Sequence, residues 1–143
     1  MKALITGASS GIGKELAITL SSLGYDLYIV ARNKDELDKI IDYCSGKVTT
    51  IALDLSKENN CYKLYEQLKD KDIDILVNNA GFGDAGKFTI TNLKKELDMI
   101  DVNIKAYHIL MKLFLKDFVK RDYGRILNVA SMAGFMPGPY MAT

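Results

Sequence analysis

A chain of 143 residues, 48% apolar and 26% charged, has the length of one domain and enough apolar side chains for a real core. Its net charge of +1 gives no electrostatic case for nucleic acid or a membrane surface, and no apolar run reaches transmembrane length. The two cysteines, Cys44 and Cys61, read as reduced core thiols of a cytoplasmic protein, and Met1–Ile5 reads as a first strand too short for a leader peptide.

The first strand, with Ala3, Leu4 and Ile5, runs into Thr6-Gly7-Ala8-Ser9-Ser10-Gly11-Ile12-Gly13. A helix follows, with Ile12, Leu16, Leu20 and Leu23 at helical spacing. Strand, glycine turn and helix together make the entry to a βαβ unit. The first helical turn has N–H groups without intrahelical partners, and the helix dipole adds positive charge there, so the turn favours an anion. Gly7 suits a sharp turn, Gly11 a close approach of backbone to phosphate, and Gly13 tight helix–strand packing. A nucleoside triphosphate loop is excluded by spacing: five residues separate Gly7 from Gly13-Lys14, and Glu15 stands where Ser or Thr would hold magnesium. The spacing G-x-G-x-x-G also fails, because Leu16 occupies its third glycine position. No group of metal-ligating residues stands out.

Strand two is Leu27–Val30, and Asn33 with Glu36 reads as a capping box opening a helix with Leu37, Ile40 and Ile41 on one side. Strand three runs from Val48 to Leu53 and ends at Asp54; Ser56 is placed to cap the next helix, whose Cys61, Leu64, Tyr65 and Leu68 share a face. Strand four, Ile73–Val77, is apolar but for Asp74, and its apolar continuity reads as burial on both faces. It leads to Asn78-Asn79-Ala80-Gly81 and a polar glycine loop ending near Lys87. A long helix then carries Leu93, Leu97, Ile100, Ile104, Tyr107, Met111, Phe114 and Phe118. A second apolar set, Ala106, Ile109, Leu110 and Leu113, widens the stripe, and Lys105, Lys112, Lys116 and Lys120 mark the wet side. Such a helix has two partners. Strand five is Arg125–Val129, and after Ser131 the tail shows no period.

Five strands alternating with helices predict an α/β fold, a doubly wound parallel sheet of order 3-2-1-4-5. The crevice at its switch point lies between the Gly7 turn and the Asn79-Ala80-Gly81 turn.

Thr6-Gly7-x-x-x-Gly11-x-Gly13, the Asn78-Asn79-Ala80-Gly81 element, Asn103 in the long helix and Ser131 after strand five resemble the short-chain dehydrogenase/reductase family over essentially the whole chain. The resemblance implies a Rossmann domain over residues 1–143 that binds a nicotinamide dinucleotide through Gly7, Ser9, Ser10, Gly11, Ile12, Gly13, Arg32, Asp54, Leu55, Asn79, Ala80 and Gly81. It implies Asp54 at the adenine amino group, Ser131 at the substrate oxygen, and Asn103 at a helix kink holding a water of a proton relay. Dinucleotide folds that take NAD place an acid at the end of strand two, where this chain has Ala31-Arg32-Asn33. Arg32 would pair with a 2′-phosphate and stack on adenine, so NADP is expected over NAD. The substrate class is a small carbonyl compound or secondary alcohol, and His108 receives no role.

One departure stands out. The family's proton donor is a Tyr thirteen residues after the serine with a Lys four further on; that position falls one residue past Thr143, and Tyr140, nine from Ser131, has no following Lys. The chain therefore reads as the first three-fifths of a usual member, with the C-terminal part missing and little activity of its own. In the family the long helix pairs with the Tyr-bearing helix across a two-fold axis. Tyr107, Leu110 and Phe114 are then expected to face water unless a second copy covers them, giving a homodimer or homotetramer. A natural truncation acting as a nucleotide-binding interaction protein without chemistry is the alternative, and isomerase or dehydratase chemistry stays open.

Overall fold

A computed structural model describes residues 1–136 and 138–142. Pro137 and Thr143, part of the tail read as aperiodic, lie outside the described residues. Five parallel strands, β1 (Lys2–Thr6), β2 (Asp26–Ala31), β3 (Val48–Ala52), β4 (Ile75–Asn78) and β5 (Arg125–Asn128), form one sheet of order β3-β2-β1-β4-β5. The helices are α1 (Gly11–Ser22), α2 (Lys34–Ile41), α3 (Glu58–Leu68), α4 (Leu93–Ile100) and α5 (Tyr107–Arg121), and a π-helical turn, Asp101–Ala106, joins the last two. Ile5 lies in register with both Ile29 and Val77, which sets β1 between β2 and β4 and brings their following loops together.

The sheet divides the core in two. On one face Ala3, Ile5, Ile29 and Val77 pack under α1 and α2 with Ala17, Leu37 and Ile40. On the other, Leu4, Val30 and Leu76 pack under α3 and α5 with Leu64, Leu110 and Phe114. Leu76, Val77 and Asn78 are buried, so β4 is covered on both faces as its apolar run predicts. The strand itself starts two residues later than expected, at Ile75, after Asp74, whose Oδ2 accepts from Lys2 N–H at 2.7 Å.

The helical spacing misplaced the inner face of α1. Ile12 and Leu23 are exposed, at 60% and 63%, and the buried positions are Gly13, Ala17 and Ser21. Small side chains let this helix lie close to the sheet, and Leu16 and Leu20 pack at its flank. Asn33 caps α2, accepting from the Asp35 and Glu36 N–H groups at 3.0 and 3.4 Å. Ser56 does not cap α3. It is buried, the cap position belongs to Lys57, and the entry is held by Asp54, whose Oδ1 accepts from Ser56 N–H at 3.0 Å. Cys61 is buried as expected, but Cys44 lies beyond the end of α2 and is only half-buried.

The long helix is not uniform. Leu110, Phe114 and Phe118 are buried against α3 and the sheet, and Tyr65 meets Phe114 edge-on at 5.3 Å between ring centres. Leu110 and Phe114 therefore do not face water, and Tyr107 is half-buried in the cleft described below. The large apolar side chains left exposed along it are Leu93, Leu97, Ile100, Ile104, Leu115 and Val119, of which Ile100 and Ile104 line the cleft described below. Beyond β5 a short 3-10 turn, Met132–Gly134, begins the tail.

Candidate functional site

A cleft of about 1360 Å³ opens at the carboxyl ends of the strands, where the loops after β1 and β4 diverge. Gly7, Ser9, Ser10, Gly11 and Ile12 line it from the first loop, and Arg32, Asp54 and Leu55 from the ends of β2 and β3. Asn79, Ala80 and Gly81 after β4, Asn103 in the π turn and Ser131 after β5 complete it. Every residue singled out in the sequence borders this cleft except Gly13, which lies behind it.

Two glycines are demanded by packing and backbone. Gly7 has φ 67°, and a Cβ there would stand 2.6 Å from the Ala80 Cα. A Cβ on Gly13 would collide with the Gly7 carbonyl and the Asn79 side chain. The two loops thus touch through main chain, and a polar latch fixes them there. Thr6 Oγ1 donates to the Val77 carbonyl at 3.3 Å and accepts from the N–H groups of Asn79 and Ala80 at 3.0 and 3.1 Å. In return Asn79 Nδ2 donates to the carbonyls of Thr6 and Gly7, each at 3.0 Å. Thr6 stands in the motif, yet its hydroxyl was not among the expected site groups. Its being the one uncharged polar residue of an otherwise apolar strand was the available signal.

The electrostatics suit an anion at the first loop. Helix α1 starts at Ser10 with no side-chain cap and no acidic residue in its first turn, so its free N–H groups and dipole face the cleft without a counter-charge. Around Gly11, φ 54°, a Cβ would meet nothing within 4 Å, leaving open space against the backbone. Arg32 is exposed and, among the described residues, makes no ion pair. The lysines on the opposite rim are committed: Lys95 to Asp84 at 2.6 Å, and Lys94 with Lys57 to Asp98. Lys95 holds the Asp84 carboxyl below its usual range by a direct hydrogen bond.

At the far end, Asn103 clamps the loop after Gly81: Oδ1 accepts from Phe82 N–H at 3.1 Å, and Nδ2 donates to the Phe82 carbonyl at 2.9 Å. Ser131 Oγ accepts from Ala133 N–H at 3.1 Å, which leaves its own O–H free to donate toward the cleft. Leu55 is buried, with 6% of its surface exposed, so its side chain is core. Asp54 keeps Oδ2 free while Oδ1 shapes the α3 entry. His108 is exposed on α5 away from the cleft lining, and Tyr140 is exposed with only its carbonyl engaged, by Gly86 N–H at 2.8 Å. Tyr107, expected as stripe, instead lines the cleft; its spacing of four from Asn103 was the signal.

The comparisons agree with this geometry. The sequence profile of the short chain dehydrogenases matches residues 1–143. The very-long-chain 3-oxoacyl-CoA reductase of Pyrenophora tritici-repentis is 39% identical over 99% of this chain and 44% of its own length. The hydroxysteroid dehydrogenase-like protein 1 of Gallus gallus is 35% identical, with 99% and 45% covered. Among solved structures, the bulky-bulky ketone specific alcohol dehydrogenase of Comamonas testosteroni superposes with a TM-score of 0.91 at 32% identity, over 99% of this chain and 59% of its own. A short-chain dehydrogenase of Sphingobium yanoikuyae in complex with NADPH gives 0.91 at 33% identity, over 99% and 57%. The chain thus spans less than half the length of these two curated relatives. With sheet order, glycine turn, latch and profile all in agreement, the chain belongs to the short-chain dehydrogenase family of oxidoreductases.

Proposed function

We propose that this chain is the cofactor-binding part of a cytoplasmic NADP-dependent oxidoreductase acting on a small carbonyl compound or secondary alcohol. The observation that carries the reading is Arg32: an exposed guanidinium without an ion pair among the described residues, at the end of β2, lining the cleft that the latched glycine loop shapes. The residues fit such a group. Open space at Gly11 and the uncapped start of α1 suit a pyrophosphate, and Arg32 suits a 2′-phosphate. NADP would supply the hydride. Asp54 Oδ2 would accept from the adenine amino group, Asn79 and Ala80 would border the ribose, and Ser131 would direct its O–H at the substrate oxygen. Two solved relatives described as complexes with NADP or NADPH support the choice.

The test is a fluorescence titration of the chain with NADPH and NADH. NADPH is expected to bind at least about tenfold tighter, or about 1.4 kcal/mol, the scale of one charge-assisted phosphate contact. Arg32→Ala should remove most of that preference while NADH affinity stays. Equal affinities in the unaltered chain would remove the NADP assignment.

A further inference from the structure

We infer that Tyr107 is a positioning residue for Ser131, holding the turn that carries it through a hydrogen bond from α5 to the end of β5. The importance of that turn rests on the reading of Ser131 above; the hydrogen-bond argument does not. β5 is the outer strand and pairs only with β4, its last register pair being Asn78 with Asn128. One further backbone bond follows, Val129 N–H to the Asn78 carbonyl at 2.8 Å. Beyond it, among the described residues, the segment 130–136 bonds only to itself. Ala133 N–H reaches Ser131 Oγ, Gly134 N–H the Ser131 carbonyl, and Phe135 N–H the Met132 carbonyl.

Among the described residues the Val129 carbonyl has one partner, Tyr107, whose hydroxyl donates to it at 3.3 Å. Val129 is therefore held on both sides, by β4 through its N–H and by α5 through its carbonyl. Two residues later comes Ser131. The phenol is suited to this task, because its ring is half-buried and its hydroxyl spans from helix to strand end. Burial also pushes its pKa up, so it stays a donor at neutral pH. The π-helical turn matters here too. It carries Asn103, which grips the Phe82 main chain, and ends immediately before Tyr107, which grips Val129. One widened turn thus supplies a clamp to each of two cleft walls, the loop after β4 and the segment after β5.

Amide hydrogen exchange by NMR on the 143-residue chain tests this with Tyr107→Phe, which keeps the ring and removes only the donor. The Val129 amide should exchange about tenfold faster, the effect of one neutral hydrogen bond. The Ser131 and Ala133 amide resonances should move toward coil positions, a signature that general loosening of the core would not confine to this turn. Exchange at Asn79 and Ala80 should stay as it was. Unchanged exchange at Val129, or equal acceleration at Asn79 and Ala80, would overturn the assignment. Exchange is read without nucleotide or substrate, so a failed NADPH titration and a failed clamp are separate results.

Discussion

Thr6 shows how much one hydroxyl can organise. It is 1% exposed, and through it β1 holds the start of the Asn79 loop 73 residues away. Thr6→Val keeps the shape and leaves two half-buried N–H groups without their protein partner, at up to about 1 kcal/mol for each. Urea unfolding should show the lower midpoint, with weaker NADPH binding alongside, and Thr6→Ser should keep most of both. A Thr6→Val midpoint equal to that of the unaltered chain would mean the latch holds nothing. The glycines of this site were legible in the sequence because their constraint is local: a turn, a positive φ, an absent Cβ. The latch was not: the sheet order brought the two loops together, but which hydroxyl and which amide face each other depends on the side-chain geometry at their contact. The thiols make a second test at this scale. Burial, then the nearby Glu58 carboxylate, pushes the Cys61 thiol up to about 11, so at pH 8 it stays protonated and shielded. Ellman's reagent at that pH should titrate Cys44, slowly, and reach Cys61 only in guanidinium. Two thiols reacting at once in the native chain would contradict the burial of Cys61.

At the scale of elements, period and packing disagreed in an instructive place. The stripe Ile12, Leu16, Leu20 and Leu23 repeats at helical spacing, yet the sheet receives Gly13, Ala17 and Ser21. Helical spacing reveals an apolar side but not the distance at which a helix docks. α1 docks closely because its start must stand beside the Gly7 carbonyl. Gly13→Ala should therefore destabilise the chain more than any Ala17 change of similar volume, readable as a drop in thermal midpoint. The long helix behaved in the same way. Its doubled stripe led to an expectation of two partners; Leu110 and Phe114 face the core, and on α5 Leu115 and Val119 stay exposed. The π turn that joins α4 to α5 was legible only as the kink expected at Asn103, since no residue type enforces its form. An exposed apolar stripe of this kind promotes association, so a dimer or larger assembly is expected at micromolar concentration by light scattering. Leu115→Lys combined with Val119→Lys should give a monomer of undiminished thermal midpoint. A monomer in the unaltered chain would assign the stripe to some other cover.

Across the whole molecule, binding and chemistry separate. One end of the sheet gathers a loop, a helix start and a guanidinium that suit a dinucleotide, and the same cleft reaches Asn103 and Ser131. Ser131 has its lone pair engaged by Ala133 N–H and its hydrogen free, which fits a donor that polarises a carbonyl. A serine hydroxyl is nevertheless a poor acid, and Asn103 spends its amide on the Phe82 main chain. Tyr107, the one phenol lining the described cleft, gives its hydroxyl hydrogen to the Val129 carbonyl. The positions where the family carries Tyr and Lys lie past Thr143. Without a placed donor a general-acid contribution of about 10²–10⁴ in rate is lost, and hydride alignment loses a ribose contact as well. The 143-residue polypeptide by itself is therefore expected to bind NADPH yet oxidise it no faster with simple ketones or aldehydes than without them. A longer polypeptide that continues through a Tyr and Lys at those positions should turn over. In it Ser131→Ala should lower kcat strongly and leave NADPH affinity nearly unchanged, because on the proposed reading the serine would meet substrate and not nucleotide. Ketone-dependent oxidation of NADPH by the 143-residue polypeptide, abolished in Tyr107→Phe, would instead make that phenol the proton source.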